Sequence, residues 1–193
     1  MSNYAEKRSE VIETVRMAVD ARVSLIQLRE KKLPPRLLCD LAVASAAITR
    51  GSATRLLIND RADIALAANA DGVHLAAVSL RNQIIRKSFP RGFIIGVSTH
   101  SLDEAENASA EGADFVVFGP IYQTPGKGEP QGITKLTEVC NKLRSFRVLG
   151  LGGIDESNIK SVLDAGAAGF AAIRSLNDAT AMLSLTKRLS SGS

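Results

Sequence analysis

Amide, hydroxyl and charged side chains recur in this chain just where short apolar runs end. Gln27, Arg29, Glu30 and Lys31 close or follow "VSLIQL" (23–28), and Asn59, Asp60 and Arg61 do the same for "RLLIN" (55–59). His74 and Ser79 accompany "GVHL" (72–75), Ser98, Thr99 and His100 follow "FIIGV" (93–97), and Thr124 and Lys127 come after "FVVFG" (115–119). Cations, amides and hydroxyls with few carboxylates suit a polyphosphate bound with Mg²⁺. Hard oxygen ligands hold the metal, and Arg and Lys neutralise the charge that remains. Any one of these residues alone reads better as part of a solvated rim. Their repeated placement after apolar runs favours a shared role.

A second anion site is expected near the C-terminus. "LGLGGIDESN" places Gly150, Gly152 and Gly153 between an apolar run and a helical segment, where missing side chains let backbone N–H groups approach a phosphate. A tight turn would account for the same glycines. "FAAIRSL" follows the next run.

The elements that must position these groups are seven apolar runs, the last two being "RVLGLG" (147–152) and "GFAAI" (169–173). Several lack polar alternation, as expected of parallel strands covered on both faces. Amphipathic segments separate them. Ser101 precedes "LDEAENASAEG" with Glu104 as a capping-box partner and Gly112 at the stop, and "DESNIKSVLDAG" repeats the plan with Asp155 as cap and Gly166 as stop. The spacing of these βα units favours a (β/α)8 TIM barrel over a doubly wound sheet, folded as a single domain over residues 1–193. One helix, "EKRSEVIETVRMAVDA", comes before any strand, so the barrel is expected to lack its first strand.

Composition narrows the function further. Lys plus Arg number 24 against 20 Asp plus Glu, a net charge of +4, and the excess is scattered. Aromatic residues are only 4%, too few for a base-stacking surface, so a small phosphorylated ligand is expected rather than nucleic acid. No apolar run approaches the length of a membrane span, and no signal peptide is visible. Cys39 and Cys140 lie far apart with no CxxC, which fits reduced thiols packed in helices and a cytoplasmic protein. His74, in an apolar run, reads as a core or rim residue, whereas His100 could contact a ligand or help cap the next helix.

The motifs "IQLREK" (26–31), "LINDRADIALAANADGVHL" (57–75), "GVSTHSLDEA" (96–105), "GADFVVFGPIYQTPGK" (112–127) and "LGGIDESN" (151–158) stand in one order and spacing. In this the sequence resembles the thiamin phosphate synthases and their relatives, the TenI-type thiazole tautomerases. The resemblance implies a barrel enzyme of thiamin biosynthesis that joins a hydroxymethylpyrimidine diphosphate to a thiazole phosphate, releasing pyrophosphate. It implies that Gln27, Arg29, Lys31, Asn59, Ser98 and Lys127 contact the diphosphate, with Ser98, Lys127 and Arg29 serving catalysis, and that Asp60 is a Mg²⁺ ligand. Thr124, Gly152, Gly153 and the backbone near Ile173 and Arg174 would hold the thiazole phosphate. Barrel relatives also suggest a homo-oligomer.

Three positions depart from the family pattern. "HLAAVSL" offers Ser79 where the synthases carry a second Asp, and a neutral hydroxyl is a poorer Mg²⁺ ligand than a carboxylate. Pro120 stands where the best-known tautomerase has its acid/base His, and proline transfers no proton. Arg174 lies beside the expected phosphate where the family often has a small or hydroxylated residue, and would either strengthen anion binding or obstruct it. The synthase is the first reading; a thiazole tautomerase and a non-catalytic phosphate-ligand binding relative are the alternatives.

Overall fold

The computed structural model describes residues 2–76 and 78–172. Helix α1 (Ser2–Asp20) leads into β1 (Leu25–Leu28), α2 (Pro35–Thr49), β2 (Arg55–Asn59), α3 (Ala62–Ala67) and β3 (Gly72–Leu75). Then come α4 (Asn82–Ser88), β4 (Ile94–Thr99), α5 (Leu102–Ala110), β5 (Phe115–Phe118), α6 (Gly132–Lys142), β6 (Arg147–Leu151), α7 (Ile159–Asp164) and β7 (Gly169–Ala171). The strands form one sheet in the order β1-β2-β3-β4-β5-β6-β7, every neighbouring pair parallel. A doubly wound sheet would reverse its strand order partway, and this one does not, so the (β/α) barrel plan holds. Among the described residues β1 and β7 are each paired on one side only, and no eighth strand is present. The expected helix after β7 lies outside the described residues.

Apolar packing forms two outer clusters and one inner cluster. Leu56, Ile58, Val73 and Ile95 pack with Leu38 and Leu41 of α2, while Val116, Phe118 and Val148 pack with Leu136 and Val139 of α6 and Val162 of α7. The inner group is Leu57, Phe115 and Val117, with Leu25, Ile94, Leu149, Leu151 and Ala171 against it. Side chains alternate along a strand, so Gln27 shares the inner face with Leu25, Asn59 with Leu57, and Ser98 with Ile94. A polar layer therefore sits on the apolar inner cluster at the C-terminal ends of the strands.

The opposite ends of the strands are closed by a repeated device. Asp71, just before β3, accepts from Leu56 N–H at 2.8 Å, and Asp114, just before β5, accepts from Ile95 N–H at 2.7 Å. Each carboxylate satisfies a backbone donor at the start of the preceding strand. Arg86 of α4 reinforces the second, donating to Asp114, to the Phe93 carbonyl and to the Gly112 carbonyl.

Local signals set most boundaries. Ser101 caps α5 by accepting from Glu104 N–H at 3.2 Å, and Gly112 follows with φ +92°. The return bond of the capping box lands one residue early: Glu104 accepts from His100 N–H at 2.6 Å. Strand β1 begins two residues later than the run "VSLIQL" because Val23 N–H is spent on Ala18 O, closing α1. Asp155 is not the cap of α7. It accepts from Ser157 N–H and Oγ while its own N–H donates to Asn158 Oδ1, a local turn that delays the helix to Ile159.

Candidate active site at the strand ends

Asn59 and Asp60 end β2 between two neighbouring loops. Gln27 Nε2 donates to Asn59 Oδ1 at 2.8 Å across the β1–β2 pair, and Asn59 Nδ2 donates to Asp60 Oδ2 at 3.2 Å. Asp60 itself takes a left-handed backbone, φ +58°, which Asp tolerates better than most side chains. Its N–H donates to His74 O at 2.9 Å, and its Oδ1 accepts from Ala76 N–H and from Ser79 Oγ. Ser79 Oγ in turn accepts from Ala76 N–H at 2.8 Å. A continuous hydrogen-bonded row, Gln27–Asn59–Asp60–Ser79, thus runs across the ends of β1, β2 and β3.

The next strands add a second pair. The register places Asn59 beside His74 and His74 beside Gly96, and His74 Nε2 lies 2.8 Å from Ser98 Oγ. His74 is 6% exposed, and its ring sits 6.0 Å from that of Phe115. Burial pushes the imidazole down to about 4; nearby Asp60 acts against this and nearby Arg29 with it. His74 is therefore neutral at neutral pH. The sequence reads His74 as a core or rim residue, which its burial matches, but the contact with Ser98 depends on the β3–β4 register, which no local motif carries.

The β5–α6 loop carries Thr124 and Lys127 and meets the glycines after β6. A Cβ on Gly152 (φ +104°) would lie 2.7 Å from Pro120 Cβ and 3.2 Å from Thr124 Oγ1, and one on Gly153 (φ +64°) would lie 2.7 Å from Tyr122 Cβ. Both positions need glycine for conformation and for space. Thr124, Gly152 and Gly153 are thereby brought together. Gly150 is different: it faces outward, where a Cβ would meet Val162, Ile154 and Ile121, so it serves helix packing and not an anion site.

The remaining expected groups take varied places. Arg29, Lys31 and Lys127 are exposed and have no ion-pair partner among the described residues. Glu30 pairs with Lys7 of α1 at 2.5 Å, and Arg61 makes a two-pronged contact with Asp63 at 2.8 and 2.6 Å that holds Asp63 below the usual carboxylate range. Neither is available to a ligand without breaking that pair. His100 contacts Gly119 O through Nδ1 at 2.5 Å, tying β4 to the β5–α6 loop. Ile173 and Arg174 lie outside the described residues. A cleft of about 450 Å³ adjoins Asp60 and Ser79; the Arg61–Asp63 pair also lines it, and the remaining walls, chiefly Leu75, Val78, Leu80, Ile85 and Phe89, suit apolar contact.

The donor set can be tested against Mg²⁺. Among the described residues no three His, Cys, Asp or Glu side chains converge on a metal position. Asp60 and the Ser79 hydroxyl nevertheless stand together, and Mg²⁺ is commonly held by one or two carboxylates with substrate phosphates and water completing its shell. The residues fit a metal shared with a diphosphate rather than an all-protein cage.

Comparison with known proteins gives one consistent family. The family model described as thiamine monophosphate synthase matches residues 2–176. A thiamine-phosphate synthase of Methanoculleus marisnigri is 41% identical over 161 residues, covering 82% of this chain and 76% of that protein. One from Roseiflexus castenholzii is 38% identical over 166 residues, covering 84% and 72%. The solved structure of thiamine phosphate pyrophosphorylase from Pyrococcus furiosus superposes with a TM-score of 0.84 at 28% identity, covering 93% of this chain and 89% of that one. No described helix is long and apolar enough to cross a membrane.

Proposed function

The chain belongs to the thiamine monophosphate synthase family, and on that premise we propose that it joins hydroxymethylpyrimidine diphosphate to thiazole phosphate with release of pyrophosphate. The observation that carries this reading is the polar row Gln27–Asn59–Asp60–Ser79 at the strand ends, flanked by Arg29 and by Ser98. In a (β/α) barrel that end is where substrate binds.

The chemistry asks for stabilisation of a leaving group. As the C–O bond to the diphosphate breaks, positive charge develops on the pyrimidinylmethyl carbon and negative charge on the departing pyrophosphate, and the thiazole nitrogen then attacks the carbon. Arg29, Lys31 and Lys127 neutralise the pyrophosphate, and Ser98 donates a hydrogen bond to one of its oxygens. The Gln27–Asn59 pair holds its amides in fixed positions for contact with substrate. Asp60, assisted by Ser79, would hold Mg²⁺, which supplies further charge neutralisation of the leaving oxygens. Thr124, Gly152 and Gly153, with the backbone near Ile173 and Arg174, would receive the thiazole phosphate.

The phosphorylated substrates are small molecules, and the scattered basic excess remains consistent with them. A cytoplasmic location and a homo-oligomer complete the proposal. Its test is product formation: incubation with both substrates should yield thiamine phosphate by mass spectrometry, and omission of either should yield none. Consumption of a thiazole carboxylate phosphate without the pyrimidine substrate would instead mark a tautomerase.

A further inference from the structure

We propose that His74 is a positioning residue for Ser98, donating from Nε2 so that the Ser98 hydroxyl hydrogen is aimed at an anion bound over the strand ends. The inference rests on the synthase reading above, and it assigns His74 a role that neither composition nor motif suggested.

Three observations carry it. The first is distance: Nε2 and Ser98 Oγ are 2.8 Å apart, an ordinary hydrogen bond between side chains of adjacent strands. The second is confinement. His74 is almost fully buried against Phe115, so its ring cannot swing away to leave Ser98 free. The third is place: Ser98 stands near the C-terminal end of β4, on the inner face with Ile94, where the oxygens of a bound anion can only accept.

The tautomer decides what Ser98 can do. With Nε2–H as donor, Ser98 Oγ accepts from the ring, and its own hydrogen is left to donate elsewhere. An anion requires that arrangement, because a phosphate oxygen accepts and does not donate. With hydrogen on Nδ1, Ser98 would instead spend its hydrogen on Nε2 and present lone pairs to the anion.

The chain contains two His, so ¹⁵N-histidine labelling resolves both rings. With Mg²⁺ and pyrophosphate present, the His74 spectrum should show Nε2 protonated and Nδ1 bare, and the opposite pattern overturns the proposal. Kinetics supply an independent arm. His74→Leu and Ser98→Ala should each lower kcat by roughly 10²-fold with the KM for thiazole phosphate little changed, and the double variant should be no slower than either single one. His74→Gln, whose amide can donate from a similar place, should recover most of the lost kcat. It should be silent in the Ser98→Ala background. Multiplying effects in the double variant, or a folded His74→Leu with wild-type kcat, overturn the proposal while leaving the synthase reading intact. Should the Leu variant fail to fold, the Gln comparison in both backgrounds separates the same two outcomes. A wild-type protein that releases no pyrophosphate from the two substrates sinks both readings together.

Discussion

Ser79 Oγ donates to Asp60 Oδ1, so the loop after β3 is fastened to the loop after β2 through the Asp60 carboxylate. The same oxygen accepts from Ala76 N–H, and Asp60 Oδ2 accepts from Asn59. Asp60 is thus held in place by neutral donors, any of which can yield to a cation arriving with a diphosphate. A second carboxylate at position 79 would change the balance. Without metal, two like charges would face each other; with Mg²⁺, both would be ligands. Ser79→Asp is therefore expected to melt below wild type in EDTA, to gain more Tm than wild type on Mg²⁺ addition, and to reach half-maximal turnover at roughly tenfold lower Mg²⁺. Thermal denaturation and turnover across a Mg²⁺ titration check all three.

Gly152 is fixed by both its backbone and its neighbours. At φ +104° an L side chain costs on the order of 1–2 kcal/mol, and its Cβ would press on Pro120 and Thr124. Gly152→Ala is expected to lower Tm by several degrees and to raise the KM for thiazole phosphate about tenfold, leaving the KM for the pyrimidine diphosphate nearly unchanged. Steady-state kinetics with each substrate varied in turn distinguishes this from a general loss of fold.

Arg86 offers the contrasting case of a residue that stabilises without touching the site. Its guanidinium donates at 2.9 Å to Gly112 O, at 2.8 Å to Phe93 O and at 2.6 Å to Asp114 at the far ends of the strands. Arg86→Met leaves these acceptors short of a donor and should cost about 2 kcal/mol of unfolding free energy. Activity at temperatures well below the transition should be retained. Urea denaturation and an assay at low temperature read the two quantities separately.

Acid should destabilise the protein through His74. Its folded value, about 4, lies below the ordinary value of 6.5, so between those limits the unfolded chain binds the proton and the folded one does not. The contribution is fully present above pH 6.5 and is lost as pH falls toward 4, at up to about 1.4 kcal/mol per pH unit. His74→Gln has no such group. Its stability, measured by urea denaturation at pH 7 and pH 5, should fall less over that interval than that of the wild type.

The barrel plan was legible because buried parallel strands leave apolar runs at βα spacing, and each of the seven runs holds a strand. Boundaries were less so. Asp155 has the residue type of a cap, yet it is used in a turn with Ser157 and Asn158 that only the three-dimensional path reveals. Gly150 looked like part of a phosphate loop, but a residue inside a strand can be kept small by a helix behind it, here Val162. Within the candidate site, polar residues at strand ends were readable from position alone, including Gln27, Asn59 and Asp60. Their mutual bonds were not, because these depend on cross-strand register. The His74–Ser98 contact shows this most clearly, since nothing in "GVHL" or "GVSTH" fixes the offset between β3 and β4.

The most direct test of the account is pyrophosphate release from hydroxymethylpyrimidine diphosphate and thiazole phosphate, measured with and without Mg²⁺ for the wild type and for Asp60→Ala. Release that needs both substrates and Mg²⁺, and that falls by at least about 10²-fold in Asp60→Ala, is the result expected of a synthase whose metal is held at Asp60. No release from folded wild-type protein, or release indifferent to Mg²⁺ and to Asp60, would contradict it.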